Sequence, residues 1–202
     1  MPLGSRHLPL FFAAALRSPA TMGAVAPSSS RLAARLAAVV PRLGNPVVVE
    51  LGPGTGSTTV AIEHRLAGSG RQVAVEIDPV LAQHLRAEYG GVEVLLGDAA
   101  QLERLLAEHN VPGADVVVSG LPWALIAPPA QRAIIEATAR SLRPGGSFTT
   151  LAYVHALAMP CARRFRALLG EVFDEVLTTR TVWWNLPPAV SYVCRRPHPL
   201  GS

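Results

Sequence analysis

The sequence predicts an α/β fold, a doubly wound and mostly parallel seven-stranded sheet that ends in an antiparallel hairpin. Five short β-branched apolar runs, "PVVVELG", "RQVAVEID", "VEVLLGDA", "ADVVVSG" and "GSFTTLAY", follow one another between residues 46 and 153, as strands buried on both faces do. Segments 57–66, 79–89, 101–109 and 129–142 separate them and carry Leu, Ile or Ala at helical spacing with charged residues between. Two more strand-like runs, "EVFDEVLTTRTVW" and "AVSYVCRR", are joined by Trp184-Asn185-Leu186-Pro187-Pro188, too short for a helical crossover, which predicts antiparallel pairing.

Taken in order, the chain starts with "RHLPLFFAAALRSPA", a basic start followed by an apolar run from Leu8 to Leu16. The run is too short to cross a bilayer as a helix, and its small residues lie inside it rather than after it, so retention is expected rather than cleavage as a signal peptide. The tetrapeptide Pro-Leu-Gly-Ser occurs at both ends, and neither copy carries a functional reading. "APSSSRLAARLAAVV" predicts a serine-capped helix starting near Ser28, over residues 28–40. A single domain over residues 46–196 follows, including a late helix at about 160–169. With 202 residues, half of them hydrophobic, the chain is long enough for one core. All 18 basic side chains are arginine, and the net charge of +4 weakly favours anionic partners. Cys161 and Cys194 lack metal-ligand or CxxC spacing, so they predict packing roles in a reduced, cytoplasmic protein, with no metal site.

The loop "ELGPGTGSTT" after the first strand places Gly52, Gly54 and Gly56, with Thr55 between the last two, where backbone must turn sharply and approach a ligand. Dinucleotide-binding folds share such a turn, but Glu50 sits two residues before the first glycine, where a carboxylate repels pyrophosphate and balances a ligand ammonium. That favours S-adenosyl-L-methionine as cofactor. The second strand ends in "VEIDP", so Glu76, followed by Ile77, is placed to accept both ribose hydroxyls. The third ends in "LLGDA", so Asp98, followed by Ala99, can meet the adenine amino group. All three acids fall at carboxyl ends of parallel strands, the edge where such sheets bind ligands. A nicotinamide-dependent oxidoreductase would need a substrate domain or a hydride-transfer site, and the sequence supplies neither.

Together, "ELGPGTGSTT", "VEIDP", "GDA", "SGLPW" and "LRPGG" resemble the ordered motifs of class I S-adenosylmethionine-dependent methyltransferases, which implies a Rossmann-like sheet. The resemblance covers about residues 47–153. "SGLPW" is similar to the post-strand motif of ribosomal-RNA adenine dimethyltransferases and of bacterial phospholipid N-methyltransferases. "SPATMGAVAPSSSRLA" and "VWWNLPPAVSY" resemble the phospholipid enzymes, such as phosphatidylethanolamine N-methyltransferases. The RNA enzymes tend to add a C-terminal helical domain, whereas about fifty residues follow Tyr153 here, without an aromatic-studded basic patch, so nucleic acid is not the expected partner.

The resemblance implies N-methylation of an amine, such as a phosphatidylethanolamine-type headgroup, and an amphipathic helix at residues 6–17 lying on the anionic inner membrane surface. The same apolar residues would equally serve a helix packed over the cofactor pocket. Ser28 and Ser29 would help close over the cofactor's methionine end, or simply cap their helix. Two departures bear on the substrate. Trp184 stands where the phospholipid pattern carries an arginine, and Tyr153-Val154-His155 replaces its Tyr-Gly-Pro. A small aromatic or amine metabolite therefore suits Trp123, Tyr153, Trp183 and Trp184 as well as a lipid does.

Methyl transfer to an amine requires a positioned lone pair and exclusion of water rather than a covalent nucleophile. Backbone carbonyls from Ser119 to Leu121 are candidate acceptors for the amine protons, and Trp123 is a candidate wall for the cation that forms. His155 is the conventional base nearest the motif, and Tyr153, Trp184 and Asn185 complete the candidate substrate residues. Arg163, Arg164 and Arg166 are read as a solvated helix face or an anion contact. The rival from another class is a binding module that keeps this fold without catalysis, against which the three strand-end acids argue.

Overall fold

The computed structural model describes residues 29–199. Along these the chain forms α1 (Ser30–Ala37), β1 (Val47–Leu51), α2 (Ser57–Leu66), β2 (Arg71–Glu76), α3 (Pro79–Glu88), β3 (Glu93–Leu96), α4 (Leu102–Glu108) and β4 (Ala114–Ser119). It continues through α5 (Pro128–Ser141), β5 (Leu142–Tyr153), α6 (Pro160–Val172), β6 (Phe173–Thr178) and β7 (Ala189–Pro197). The sheet order is β3-β2-β1-β4-β5-β7-β6. β1 to β5 pair in parallel, and β7 runs antiparallel to both β5 and β6. This is the Rossmann-like sheet with a terminal antiparallel hairpin that the alternation of runs predicts.

All five residues of β1 are buried, because alternate side chains feed opposite cores. Val47, Val49 and Leu51 join Leu102, Ile135, Phe165 and Leu169 on one face, while Val48 joins Leu32, Leu36 and Ile62 on the other. Helices on both faces leave the strand ends as the surface on which loops can build a site.

Several boundaries differ from expectation. The first helix begins at Ser30 and ends at Ala37 rather than spanning 28–40, and Ser29 is its cap, its hydroxyl accepting from the Leu32 amide at 3.3 Å. It packs on α2 and the sheet through Leu32 and Leu36. Ser28 and the segment 6–17 lie outside the described residues. Helix α6 runs to Val172 because Leu168, Leu169 and Val172 continue one buried face, which shortens the strand expected at 171–183 to Phe173–Thr178. β5 begins early, at Leu142, because that residue pairs with Ala114 ahead of a register shift. Among the described residues, no helix is long and apolar enough to cross a membrane.

Candidate active site

The strand order reverses between β1 and β4, and the loops after these two strands open a cleft at the carboxyl edge. Gly52, Gly54, Glu76, Ile77, Gly97, Asp98 and Ala99 line it from one side, and Gly120, Leu121, Pro122 and Ile134 from the other. Its lining is mainly apolar with a few convergent polar groups, as the linings of small-molecule sites are.

The glycine loop makes this cleft possible. At Gly52, with φ +65°, a Cβ would stand 2.6 Å from Leu121 Cδ2, so a side chain would be strained in this backbone conformation and would force the Leu121 side chain to move. Gly54, with φ +57°, has nothing within 4 Å of a Cβ position, which leaves its backbone open to a ligand. Its amide donates to Glu76 Oε2 at 3.3 Å, tying the loop to the end of β2.

Glu76 Oε1 also accepts from the amides of Ile77 at 2.9 Å and Asp78 at 3.0 Å. Burial raises the Glu76 pKa and these backbone donors only partly offset it. The carboxyl is therefore held in one orientation at the cleft wall. Asp98 Oδ1 accepts from the Ala100 amide at 2.9 Å, capping the short turn Ala99–Gln101 at the far side of the cleft.

Glu50 lies behind the wall instead of lining it. Strand alternation turns it to the face of Val48, where it is fully buried and its Oε2 accepts from Thr59 Oγ1 at 2.7 Å. Oε1 has no partner among the described residues. Burial pushes this carboxyl up to about 8, with the Thr59 bond opposing.

A second cleft adjoins the first across Leu121 and Pro122, which line both. Its walls are mainly apolar, with Trp123, Leu125, Leu151, Met159 and Phe165 prominent, and Tyr153, His155 and Pro187 also line it. Trp123 is buried, stacked on Phe165 with centroids 4.5 Å apart, and its Nε1 donates to Thr150 Oγ1 at 2.7 Å. Thr150 Oγ1 in turn donates to Ser119 O at 3.2 Å. Gln131 Nε2 donates to the carbonyls of Trp123 and Ile126, closing the turn from the side of α5. His155 is exposed and stacks on Tyr153 with centroids 5.8 Å apart.

The structure thus brings Gly52, Gly54, Glu76, Ile77, Asp98, Ala99 and Leu121 to the first cleft, and Leu121, Trp123, Tyr153 and His155 to the second. Ser119 is fully buried beneath their junction, its Oγ accepting from the Leu121 amide at 3.3 Å. Thr55 and Gly56 stand on the loop outside the cleft lining, with the Tyr89 hydroxyl donating to Thr55 O at 3.4 Å.

Ser29, Asn185 and Trp184 line neither cleft. The Ser29 amide donates to Asn185 Oδ1 at 2.9 Å, and Asn185 Nδ2 donates to Pro187 O at 2.7 Å, so this buried amide fastens α1 to the β6–β7 loop. Trp184 faces solvent under the Arg31 guanidinium, 5.1 Å from its ring centroid. Cys194 is a core residue, its thiol pushed up to about 12 by burial, whereas Cys161 lines the second cleft. Arg166 donates to Val176 O at 3.0 Å, while Arg163 and Arg164 are exposed. Thr59, Thr150, Gln131 and Phe165 went unread in the sequence. Polar threonines inside otherwise apolar buried segments were the available signal, since such groups need partners.

A family profile described as a methyltransferase domain matches residues 48–146. The ornithine lipid N-methyltransferase of Singulisphaera acidiphila is 33% identical over 189 residues, which cover 92% of this chain and 94% of that protein. The chain belongs to the class I S-adenosylmethionine-dependent methyltransferases. A second relative of this methyltransferase, the ribosomal RNA small subunit methyltransferase A of Kineococcus radiotolerans, is 44% identical over 89 residues. That likeness covers 41% of this chain, which spans only about a quarter (27%) of the length of the RNA enzyme. The fold is also that of Aeropyrum pernix fibrillarin, solved with S-adenosyl-L-methionine bound. The two share 18% identity and a TM-score of 0.60 over 82% of this chain and 74% of fibrillarin.

The residues present in this methyltransferase fit the cofactor. A buried carboxyl oxygen at Glu50, with no hydrogen-bond partner among the described residues and the Gln72 side chain nearby, matches a cationic ligand. The oriented Glu76 carboxyl matches a diol, and the open backbone at Gly54 admits close approach.

Proposed function

We propose that this methyltransferase N-methylates the amine of a membrane lipid. The observation that carries the reading is the second cleft, apolar-walled and joined to the cofactor cleft at Leu121 and Pro122. A polar headgroup alone would leave such a lining unsatisfied, whereas an amphiphile places its amine at the junction and its hydrocarbon along Leu125, Leu151, Met159 and Phe165. The likeness to a protein named as a lipid N-methyltransferase extends over 92% of the chain. The likeness to an RNA methyltransferase covers less than half of the chain. The substrate class thus includes ornithine-type aminolipids beside phosphatidylethanolamine.

When bound, S-adenosyl-L-methionine supplies an already electrophilic methyl group. Glu76 would accept hydrogen bonds from the ribose hydroxyls, Asp98 would meet the adenine edge, and Glu50 would balance the methionine ammonium from behind the loop. The chain's remaining task is to orient a neutral amine and exclude water. Carbonyls of Ser119, Leu121, Pro122 and Trp123 accept from Thr150 Oγ1, Trp123 N, Leu125 N and Gln131 Nε2 respectively, so the turn is rigid before any substrate arrives. None of these bonds falls on the carbonyl of Gly120, a residue that lines the cofactor cleft on the junction side, and this carbonyl is our choice for the one that receives an amine proton. Trp123 forms the wall against the developing cation, and His155 at the exposed rim relays the released proton to solvent.

The test is radiolabelled methyl transfer by the purified full chain against total bacterial lipid, RNA and water-soluble metabolite fractions. Label in an aminolipid is expected. Label in RNA, or in soluble amines alone, overturns the lipid reading, and cofactor binding without transfer to any fraction returns the chain to the class of binding modules.

A further inference from the structure

The loop joining β6 to β7 carries the most exposed apolar side chains near the second cleft. Trp183, Trp184 and Leu186 are 70%, 78% and 86% exposed, while Asn185 between them is buried and hydrogen-bonded. The stretch 183–186, whose polar side chain is turned inward and whose three apolar ones point outward, presents them to something other than water. The loop is not slack. Asn185 holds the start of α1, the Val182 and Ala189 backbones bond to each other at 2.7 and 3.4 Å, and the Val154 amide donates to Pro188 O at 2.9 Å.

Arg31 lies over the Trp184 ring and makes no ion pair or hydrogen bond among the described residues, leaving its charge available. Arg35, one turn further along α1, and Arg180, three residues before Trp183 in the same loop, are also exposed. The patch is therefore a tryptophan pair and a leucine with one cation, Arg31, seated on it and a second, Arg180, close in the chain. Tryptophans settle at the headgroup level of bilayers and arginines meet anionic lipid there. Residues 1–28 contain no acidic residue, so they offer no charge complement to these arginines. The occupant that matches both the apolar side chains and the Arg31 charge is an anionic lipid surface.

The patch also adjoins the second cleft. Pro187, next to Leu186, lines that cleft, and Met159, about half exposed, stands in the same lining. We infer that Trp183, Trp184 and Leu186, with Arg31, seat the protein on an anionic membrane surface so that the mouth of the second cleft opens onto the lipid. The role of the mouth rests on the aminolipid reading above, whereas the docking surface does not depend on it.

The experiment uses the full chain with vesicles of phosphatidylglycerol and phosphatidylcholine, part of whose acyl chains are brominated to quench tryptophan. Trp123 is buried, so a blue shift and quenching on vesicle addition report Trp183 and Trp184. Wild type is expected to show both, weakening several-fold at high salt and in vesicles of phosphatidylcholine alone. Replacing Trp183, Trp184 and Leu186 together by serine should abolish the blue shift and reduce vesicle co-sedimentation at least tenfold. Arg31→Glu should weaken binding to anionic vesicles while leaving the emission of the free protein near its starting wavelength. Vesicle binding without tryptophan quenching overturns the proposal, because another surface is then responsible. Failure to bind vesicles overturns it too, as does a concentration-dependent dimer that the serine variant abolishes, since the occupant is then a second copy. Methyl transfer to an aminolipid dispersed in detergent micelles separates the two readings. Transfer in micelles with no quenching on vesicles sinks only the docking surface, and quenching with no transfer in micelles sinks only the lipid substrate.

Discussion

Glu50 Oε2 accepts a hydrogen bond from Thr59 Oγ1 at 2.7 Å, while the other oxygen of the same carboxyl is buried without a partner among the described residues. Burial pushes this group up to about 8, so at neutral pH it holds its proton until a cation arrives. Binding of S-adenosyl-L-methionine should therefore release a proton, and its affinity should rise with pH by up to about tenfold per unit until it levels off near 8. Glu50→Gln should bind weakly at every pH with no such rise. Isothermal titration from pH 6 to 9 reads both, and a flat wild-type profile would remove Glu50 from the cofactor site.

The same carboxyl bears on stability, with the opposite trend. Its folded pKa lies above the ordinary 4.5, so between that value and about 8 the unfolded chain loses this proton before the folded one does. The stability that Glu50 contributes is full below pH 4.5 and declines as pH rises to about 8. Glu50→Gln should thus melt higher than wild type at pH 8, by a margin that shrinks at pH 5, in cofactor-free protein followed by circular dichroism. A stabilised but inactive variant separates a ligand-binding acid from a structural one. An equal margin at both pH values contradicts the assignment.

Glu76 accepts from three backbone amides, those of Gly54, Ile77 and Asp78, which leaves it one favoured orientation. Glu76→Ala removes the proposed ribose contact and the tie to the glycine loop together. Hydrogen bonds to a charged group are each worth about 1.5–3 kcal/mol, so cofactor affinity should fall on the order of a hundredfold or more. Activity on lipid and on any soluble amine should disappear together, as measured by equilibrium binding and methyl transfer. Retained transfer at saturating cofactor would show that Glu76 only assists binding.

Thr150 links the acceptor turn to β5, receiving Trp123 Nε1 and donating to Ser119 O. Thr150→Val keeps the shape and strands both partners in a buried site, which should cost about 1–3 kcal/mol of stability. The more telling readout is kinetic. A loosened turn should lower kcat at least tenfold while the cofactor Kd stays within about twofold, because misplacement by a fraction of an ångström weakens a positioned reaction. Thr150→Ser should restore most of the rate. A parallel loss of cofactor affinity would mean that the variant perturbs the whole sheet edge.

Much of this site was legible because it depends on strand ends. Glu76 and Asp98 could be placed at a binding edge as soon as their strands were recognised, since parallel strands in one sheet share that edge. Glu50 was legible as an acid beside the loop but not as a residue behind the wall, because only the register with α2 brings Thr59 to it. Trp184 and Asn185 follow a substrate motif in sequence, yet a bond between residues 156 positions apart, from Ser29 to Asn185, turns the amide inward and the indole toward solvent. No local periodicity encodes a loop's direction when its anchor is that remote. Thr150 and Gln131 escaped notice for a similar reason, since their partners are carbonyls and an indole on other elements.

Gly52 and Gly54 provide a comparison that separates folding from binding. Both have positive φ, but a Cβ on Gly52 meets Leu121 at 2.6 Å whereas one on Gly54 meets nothing within 4 Å. Gly52→Ala must therefore displace Leu121, a residue common to both clefts, and should lower stability, cofactor affinity and turnover together. Gly54→Ala carries only the strain of a left-handed alanine, about 1–2 kcal/mol, and should fold with near-native spectra. Its added methyl stands in the space that a ligand approaching the loop backbone would occupy, so cofactor affinity should fall at least tenfold in a protein that otherwise melts close to wild type. Thermal melts paired with titration of S-adenosyl-L-methionine test this directly. If Gly54→Ala binds the cofactor as tightly as wild type, the ligand does not contact the loop backbone there, and the cofactor's methionine end must be placed elsewhere.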